Sequence, residues 1–399
     1  MAEIEKKLKR VSAAKLLIWE RYLAWWLECS ADDELFVVDL FAGSGIYAGG
    51  RCGSPIIAAE AIQRAARRGR KAVLVLVESD HKRAKTLSDN IRRLFPDLPP
   101  SAWKFVIASE AQKAVPFISQ MIGDRPALVL IDPYGYPIPI LQMRALLGCG
   151  KVELLVNLMW FRINMDIFRA GGEKPLRKFW GTDVSPQLVA PLRRMRKRIR
   201  EAAFISMVAK KIGTRFHIPF RVCYGPDDVR GKLSTRRTKY FLVHFSNELR
   251  SALAARDVMW SIGDFPGAFE YAGIKDTPGC SEGDVISREK ALRRSVPLDL
   301  LRMFAGRELT VGSILEATLH LRCRTDVIYD SLRAMVRDGL LLADRRISKN
   351  AFGAKVLFPY AHIYEDRVDG GLVEPCDGVQ QGERGLRSLL RGTLRKTAA

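Results

Sequence analysis

The segment LFVVDLFAGSG, residues 35–45, sets an unbroken apolar run directly against a glycine-rich turn. Alternate side chains of a strand point to opposite faces, so a run that is apolar at every position predicts burial on both sides, as in a parallel sheet. Outward from this segment, AVLVLVES (72–79), KFVIAS (104–109), ALVLIDP (127–133) and VELLVNLMW (152–160) repeat the pattern. Helical spacing falls between them, at about 55–68, 80–94, 111–122 and 138–147. This βαβα alternation predicts a doubly wound α/β domain with helices on both faces. An amphipathic helix over 13–29 precedes it, and HIPFRVCYG (217–225) and KYFLVHFSN (239–247) supply closing strands.

The 399 residues allow two or three domains. A composition of 48% hydrophobic and 27% charged residues excludes a wholly disordered or fibrous chain. No apolar run reaches the roughly 18–20 residues a bilayer span needs, so no membrane association is expected. The charged start, Met1 to Arg10, lacks the apolar core of a secretory signal, and the expected location is cytoplasmic. Seven cysteines (Cys29, Cys52, Cys149, Cys223, Cys280, Cys323, Cys376) stand far apart with no CxxC pair. That spacing indicates neither a disulfide framework nor a zinc or iron–sulfur site, and no metal is expected.

Lys and Arg number 65 against 44 Asp and Glu, a net charge of +21. A surplus of that size attracts polyanions, and nucleic acid is the expected partner. Residues 161–240 carry +14 of it, with 20 basic against 6 acidic residues. This stretch interrupts the alternation as a mostly helical, basic insertion at about 161–215. Its densest part, Arg193, Arg194, Arg196, Lys197, Arg198 and Arg200, reads as a helix whose cations call for phosphate counter-charges. The competing reading is a solvated, partly paired helix face.

The α/β domain is expected to span 1–253, followed by a Gly/Pro-rich linker or irregular subdomain over 254–287. Residues 288–360 hold three helical patterns and a hairpin, the layout of a winged helix-turn-helix. Arg322, Arg324, Arg333 and Arg337 lie near its recognition helix, and Arg345, Arg346, Lys349 and Lys355 in the wing. Such a domain serves either nucleic acid or protein contacts. The tail, 361–399, is expected to be flexible.

The chemistry gathers at the strand ends. GSGIYA (43–48) fits the G-x-G-x-x-A form of a dinucleotide fingerprint, but two features argue against a dinucleotide. Asp39 would repel a pyrophosphate while attracting the ammonium of S-adenosylmethionine. Ser54 and Pro55 open the next helix nine residues beyond the glycines, which displaces the phosphate cradle. Asp39, Phe41, Gly43 and Gly45 are therefore candidate cofactor contacts. Glu78, with Asp80 beyond it, can accept both hydroxyls of a ribose, and Ser109 and Glu110 reach the same rim near an adenine. At the fourth strand end, Asp132 and the Pro133 carbonyl can accept the two hydrogens of an exocyclic base amine. Tyr134 can stack on an extruded base, and Gly135 admits it close to the backbone. A simple turn would use the same Pro and Gly.

The series DLFAGSG, GSP (53–55), VLVES (75–79), LVLIDPYGYP (128–137) and LLVNLMW (154–160) resembles the three-Cys-motif partner protein family over residues 13–250. The resemblance implies a Rossmann-like class I methyltransferase domain that uses S-adenosylmethionine. It also implies a companion protein bearing the cysteine motif, radical-SAM-like in kind. IDPYG is similar to the DPFG motif of tRNA guanosine-N2 methyltransferases, which carries the amine-binding role to Asp132, Pro133, Tyr134 and Gly135. The sequence departs from adenine and cytosine N-methyltransferases in lacking their double proline, and it has Ser109 and Glu110 where an Asp is usual. The resulting expectation is a methyltransferase acting on DNA or RNA at an exocyclic amine. The alternatives are a non-catalytic nucleic-acid-binding component of a two-gene system, and a magnesium nuclease built on Asp39, Glu78, Asp80 and Asp132.

Overall fold

Each of the buried runs becomes a strand of one sheet. The computed structural model describes residues 10–30, 32, 34–98, 103–181, 186–225, 237–273, 275 and 277–359, so the expected tail lies outside the described residues. The described residues divide into two compact units, one up to Ile286 and one from Ser287.

In the first unit, β1 (Glu34–Asp39), β2 (Lys71–Glu78), β3 (Trp103–Ala108), β4 (Ala127–Ile131) and β5 (Val152–Leu158) run parallel. Beyond β5 come β6 (Phe216–Cys223), β7 (Thr238–Ser246) and β8 (Glu270–Tyr271), in the sheet order β3-β2-β1-β4-β5-β7-β6-β8. β7 is antiparallel to both of its neighbours, which makes the sheet mixed. The chain steps outward from β1 to β2 and β3, then returns to β1's other side with β4. Ligands of open α/β sheets bind at such a reversal, outside the carboxyl ends of the strands.

The central strands β1, β4 and β5 are buried almost end to end, which is why their sequences show no alternation. One face packs α4 (Ala111–Ile122), α5 (Ile140–Leu147), α6 (Trp160–Phe168), α7 (Glu173–Trp180), α8 (Pro186–Arg194) and α9 (Lys197–Ile212) into a single core. Pro116 inside α4 cannot donate to the carbonyl of Gln112, and Gln142 Nε2 of α5 takes that oxygen at 2.9 Å. α1 (Arg10–Cys29), α2 (Ser54–Ala66), α3 (His81–Leu94) and α10 (Leu249–Trp260) complete the layers. α1 is fixed by Glu153 of β5, which accepts from the Tyr22 hydroxyl, Trp26 Nε1, Ser251 Oγ and His244 Nε2. Burial pushes the Glu153 carboxyl up, but these donors, His244 foremost, hold it below the usual carboxylate range.

The stretch 254–287 differs from the expected linker. Much of its first part belongs to α10, and β8 pairs with β6 through Arg221–Glu270 and Val222–Tyr271. A two-residue strand leaves no periodicity to read. α11 (Glu282–Phe304) starts ahead of the expected boundary and runs across the division, and its Leu292, Val296, Leu300 and Phe304 are buried in the second unit. β9 (Glu308–Thr310), α12 (Val311–Ala317), α13 (Thr325–Arg337), β10 (Leu342–Ala343) and β11 (Lys355–Leu357) follow, the strands forming an antiparallel sheet in the order β10-β11-β9. Thr310 caps α12 by accepting from Ser313 N at 3.1 Å. Among the described residues no helix is long and apolar enough to cross a membrane.

Candidate active site

The turn after β1 is shaped by its glycines. Gly43 and Gly45 have φ of +65° and +87°, the left-handed region that glycine enters freely. A Cβ on Gly45 would lie 2.8 Å from Leu87 Cδ1, so this residue packs inward, whereas the space beside Gly43 is open. Gly53 N donates to Gly45 O at 2.7 Å, and Ile46 bridges Cys52. Residues 46–52 thus form a small hairpin, closed at its base, between the turn and α2. α2 begins at Ser54, nine residues past Gly45, so the helix does not open straight from the glycines as it does in a dinucleotide fingerprint.

Two details of the expected turn are corrected. The N-cap of α2 is Gly53, and Ser54 lies one residue inside the helix. The Ser54 hydroxyl donates instead to Asp39 Oδ2 at 2.6 Å, while Phe41 N donates to Asp39 Oδ1 at 3.0 Å. Asp39 is 0% exposed, so it braces the turn from below and does not present its carboxylate to a ligand. Burial raises its pKa to about 6; the Ser54 and Phe41 hydrogen bonds and nearby Lys15 oppose that rise, and nearby Asp132 adds to it. Phe41 is half-buried against the core.

Glu78 stands at the carboxyl end of β2, facing the turn. Its Oε2 accepts from Gly43 N and its Oε1 from Asp80 N, both at 2.9 Å. Its position is therefore set by the backbone on each side. Asp80 caps α3 through Lys82 N and Arg83 N, and the Arg83 amide first of all holds its pKa below the ordinary value. Ser109 N donates to Glu78 O at 3.0 Å, which brings the end of β3 alongside. Glu110 is the N-cap residue of α4, exposed, and paired with Lys113 at 3.1 Å.

Asp132 follows β4 at the other side of the reversal, and it is held from two directions. Asn157 Nδ2, near the end of β5, donates to Asp132 Oδ1 at 2.7 Å. Lys15 of α1 makes an ion pair with Oδ2. Lys15 is only 9% exposed and also lies 5.9 Å from the centre of the Tyr240 ring. Pro133 is buried, Gly135 has open space where a Cβ would stand, and Tyr134 is 78% exposed. Tyr47, on the hairpin, has its phenol pushed above the ordinary value by burial and by the charges of Asp132, Tyr134 and Asp39. Asp39, Lys15, Tyr47, Asp132 and Asn157 thus share one neighbourhood at the strand ends.

Sequence reading missed Lys15, Tyr47 and Asn157. Two of them left a signal: Lys15 lies one helical turn from Val11 and from Trp19, on the apolar face of α1, and Asn157 interrupts an otherwise apolar strand. The four acids proposed for a magnesium site are committed elsewhere: Asp39 to Ser54, Glu78 to backbone amides, Asp80 to a helix cap and Asp132 to Lys15 and Asn157. Among the described residues, no group of three or more His, Cys, Asp or Glu could hold a metal ion.

The basic run 193–200 is not one helix. α8 ends at Arg194 and α9 starts at Lys197 with Arg196 as its N-cap residue. Arg193 Nε donates to Ile167 O at 2.6 Å, and Arg200 bonds Leu192 O, Met195 O and Asn164 Oδ1. Arg198 pairs with Glu270 and Glu201. These three guanidiniums satisfy carbonyls and carboxylates of the fold, because a helix break leaves backbone oxygens needing donors. Arg194, Arg196 and Lys197 are exposed. In the second unit, Arg324 is paired with Glu289 and Asp326, Arg345 with Asp344, and Arg346 is exposed.

No family model matches the sequence, and no curated protein matches it either. Solved structures give remote likenesses. A Legionella pneumophila protein of the family DUF519 superposes with a TM-score of 0.35 at 11% identity, over 60% of this chain and 85% of that one. The plantazolicin methyltransferase BamL, bound to a desmethyl analogue and SAH, gives 0.30 at 9%, over 59% and 86%. A Methanococcus maripaludis protein provisionally named as an S-adenosyl-L-methionine-dependent methyltransferase gives 0.29 at 11%, over 62% and 96%. Likenesses this loose decide neither cofactor nor substrate, which rest on the geometry above.

Proposed function

We propose that the chain transfers a methyl group from S-adenosylmethionine to an exocyclic base amine of a nucleic acid. The observation that carries this reading is the Glu78 carboxylate, fixed at the end of β2 by Gly43 N and Asp80 N beside an open glycine turn. A carboxylate offers about four acceptor positions. Two are taken by these backbone amides at 2.9 Å and a third by the Ser79 hydroxyl at 3.4 Å, and the remaining capacity, on Oε2, is for a ribose hydroxyl. The order β3-β2-β1-β4-β5-β7-β6, with an antiparallel β7, agrees with the Rossmann-like class I arrangement that the family resemblance implies.

In this reading Gly43, Gly45 and Phe41 line the cofactor, Asp39 braces their turn, and Ser109 and Glu110 flank the adenine. The cofactor supplies an electrophilic methyl on a sulfonium. Asp132 accepts one hydrogen of the target amine and the Pro133 carbonyl the other, which favours the tetrahedral nitrogen. Tyr134 stacks on the base, and Gly135 leaves room for its edge. The amine proton leaves to water after transfer, so no strong base is required. The second unit, read as a winged helix-turn-helix with Arg324, Arg345 and Arg346, holds nucleic acid or the companion three-Cys-motif protein.

The test is transfer of labelled methyl from S-adenosylmethionine to cellular DNA and RNA by wild type and Asp132→Ala, with cofactor binding measured in parallel. Label in one polymer, lost in the variant, supports the enzyme. No cofactor binding refutes it. A second reading, a non-catalytic nucleic-acid-binding component, is favoured by the pairing of both Asp132 oxygens with Lys15 and Asn157. It predicts bound cofactor or polymer without label.

A further inference from the structure

The sequence reading expects the polymer on the Arg193–Arg200 run, yet three of those six cations, Arg193, Arg198 and Arg200, are engaged by carbonyls and carboxylates of the fold. A different group stands at the rim where β5 and β6 end and β7 begins. Phe161, in the first turn of α6, meets Tyr224 edge-to-face, with ring centres 5.6 Å apart and planes at 85°. The Arg237 guanidinium lies 5.1 Å from the centre of the Phe161 ring, and Lys239 Nζ lies 5.6 Å from that of Tyr224.

The backbone fixes this arrangement. Tyr224 N donates to Arg237 O at 2.9 Å, continuing the β6–β7 ladder one pair beyond Cys223–Thr238. The register shifts between Val222 and Cys223, so that Lys239 falls between two paired positions. Such bulges re-aim side chains near functional sites. Phe161 follows Asn157 by four residues, and Asn157 is bonded to Asp132, so the group stands at the same strand ends as the candidate amine site.

We infer that Phe161, Tyr224, Arg237 and Lys239 form a landing surface for a single-stranded stretch of the nucleic acid, beside the base that is modified. Two half-buried aromatic rings, each with a cation over it, join base stacking to contact with the phosphodiester backbone, the combination that binds single strands without reading their sequence. Bases in a duplex have their faces covered by stacking and cannot use such a surface. This inference rests on the nucleic-acid reading above.

The experiment is fluorescence anisotropy of the full chain with labelled 12-nucleotide single strands of matched mixed sequence, one DNA and one RNA, and the corresponding duplex, across a salt series. The variants are Tyr224→Leu, Phe161→Leu, the double Arg237→Gln/Lys239→Gln and the control Arg194→Gln/Arg196→Gln, each first checked for an unchanged circular dichroism spectrum. Wild type is expected to bind at least one single strand more tightly than duplex, and the DNA and RNA arms identify the polymer. The leucine variants are expected to weaken that binding about tenfold with the salt slope unchanged. The double variant is expected to reduce the log–log salt slope by about 1.4. Binding that responds to Arg194 and Arg196 but not to the rim residues overturns this inference and leaves the nucleic-acid reading standing. Failure of wild type to bind any of the three polymers overturns both.

Discussion

Replacing Asp39 by asparagine isolates the energetic consequence of burying a carboxylate under the glycine turn. Asp39 is fully buried, and its pKa rises from 3.8 to about 6. Between those values the folded protein holds a proton that the unfolded chain has released, so stability falls as the pH rises through this window and stays lowered above it. The difference corresponds to ~3 kcal/mol at pH 7.5 and about 1 kcal/mol at pH 4.5. The asparagine side chain would keep an acceptor for Phe41 N and offer its amide to the Ser54 oxygen. Asp39→Asn is therefore expected to be the more stable protein at pH 7.5, by up to ~3 kcal/mol, with the gain shrinking by about two thirds at pH 4.5. All seven tryptophans lie between residues 19 and 260, so their fluorescence in urea follows the first unit without interference from the second. A gain that does not change between pH 4.5 and 7.5, or a variant less stable than wild type at pH 7.5, would refute the assignment of a raised pKa to Asp39.

Lys15→Met leaves Asp132 without its cation and should cost about 3 kcal/mol, a loss that Lys15→Met/Asp132→Asn largely restores in a urea double-mutant cycle. Gly45→Ala forces a Cβ to within 2.8 Å of Leu87 at positive φ and should lower stability by about 2 kcal/mol or more, read from the same unfolding curves. Glu78→Gln should weaken S-adenosylmethionine binding by roughly 10- to 100-fold in calorimetry, since a charge-assisted acceptor is lost. Tyr134→Ala removes a ring that is 78% exposed and should leave the unfolding midpoint nearly unchanged while reducing methyl transfer; equal transfer by the variant would remove Tyr134 from the site.

The sheet was readable because its central strands are buried on both faces, a condition that writes itself into the sequence as uninterrupted Val, Leu and Ile. The neighbourhood of the glycine turn was readable for a related reason: turns that demand positive φ leave glycines at fixed offsets from a strand. Lys15 was harder to find, because its partner Asp132 is 117 residues away and only folding brings α1 across the strand ends. Arg193 and Arg200 illustrate the converse error. Their charge is visible in composition, but whether a guanidinium faces solvent or a helix-end carbonyl depends on where the helix breaks, and the break between α8 and α9 carries no proline or glycine to announce it.

The hydrogen bond from Gly53 to Gly45 has a bearing on how this protein can change over evolutionary time. Because it ties the two ends of the 46–52 excursion together, the tip at Gly49 and Gly50 is exposed and structurally separate from the turn and the helix on either side. Doubling the length of such a loop costs only about 0.6 kcal/mol in closure entropy. New residues can therefore accumulate at the mouth of the candidate site, where Tyr47 already stands, without disturbing the bracing of Asp39 beneath it. A lineage could retune what enters by lengthening this finger, and a library of insertions between Gly49 and Gly50 would reproduce that drift in the laboratory.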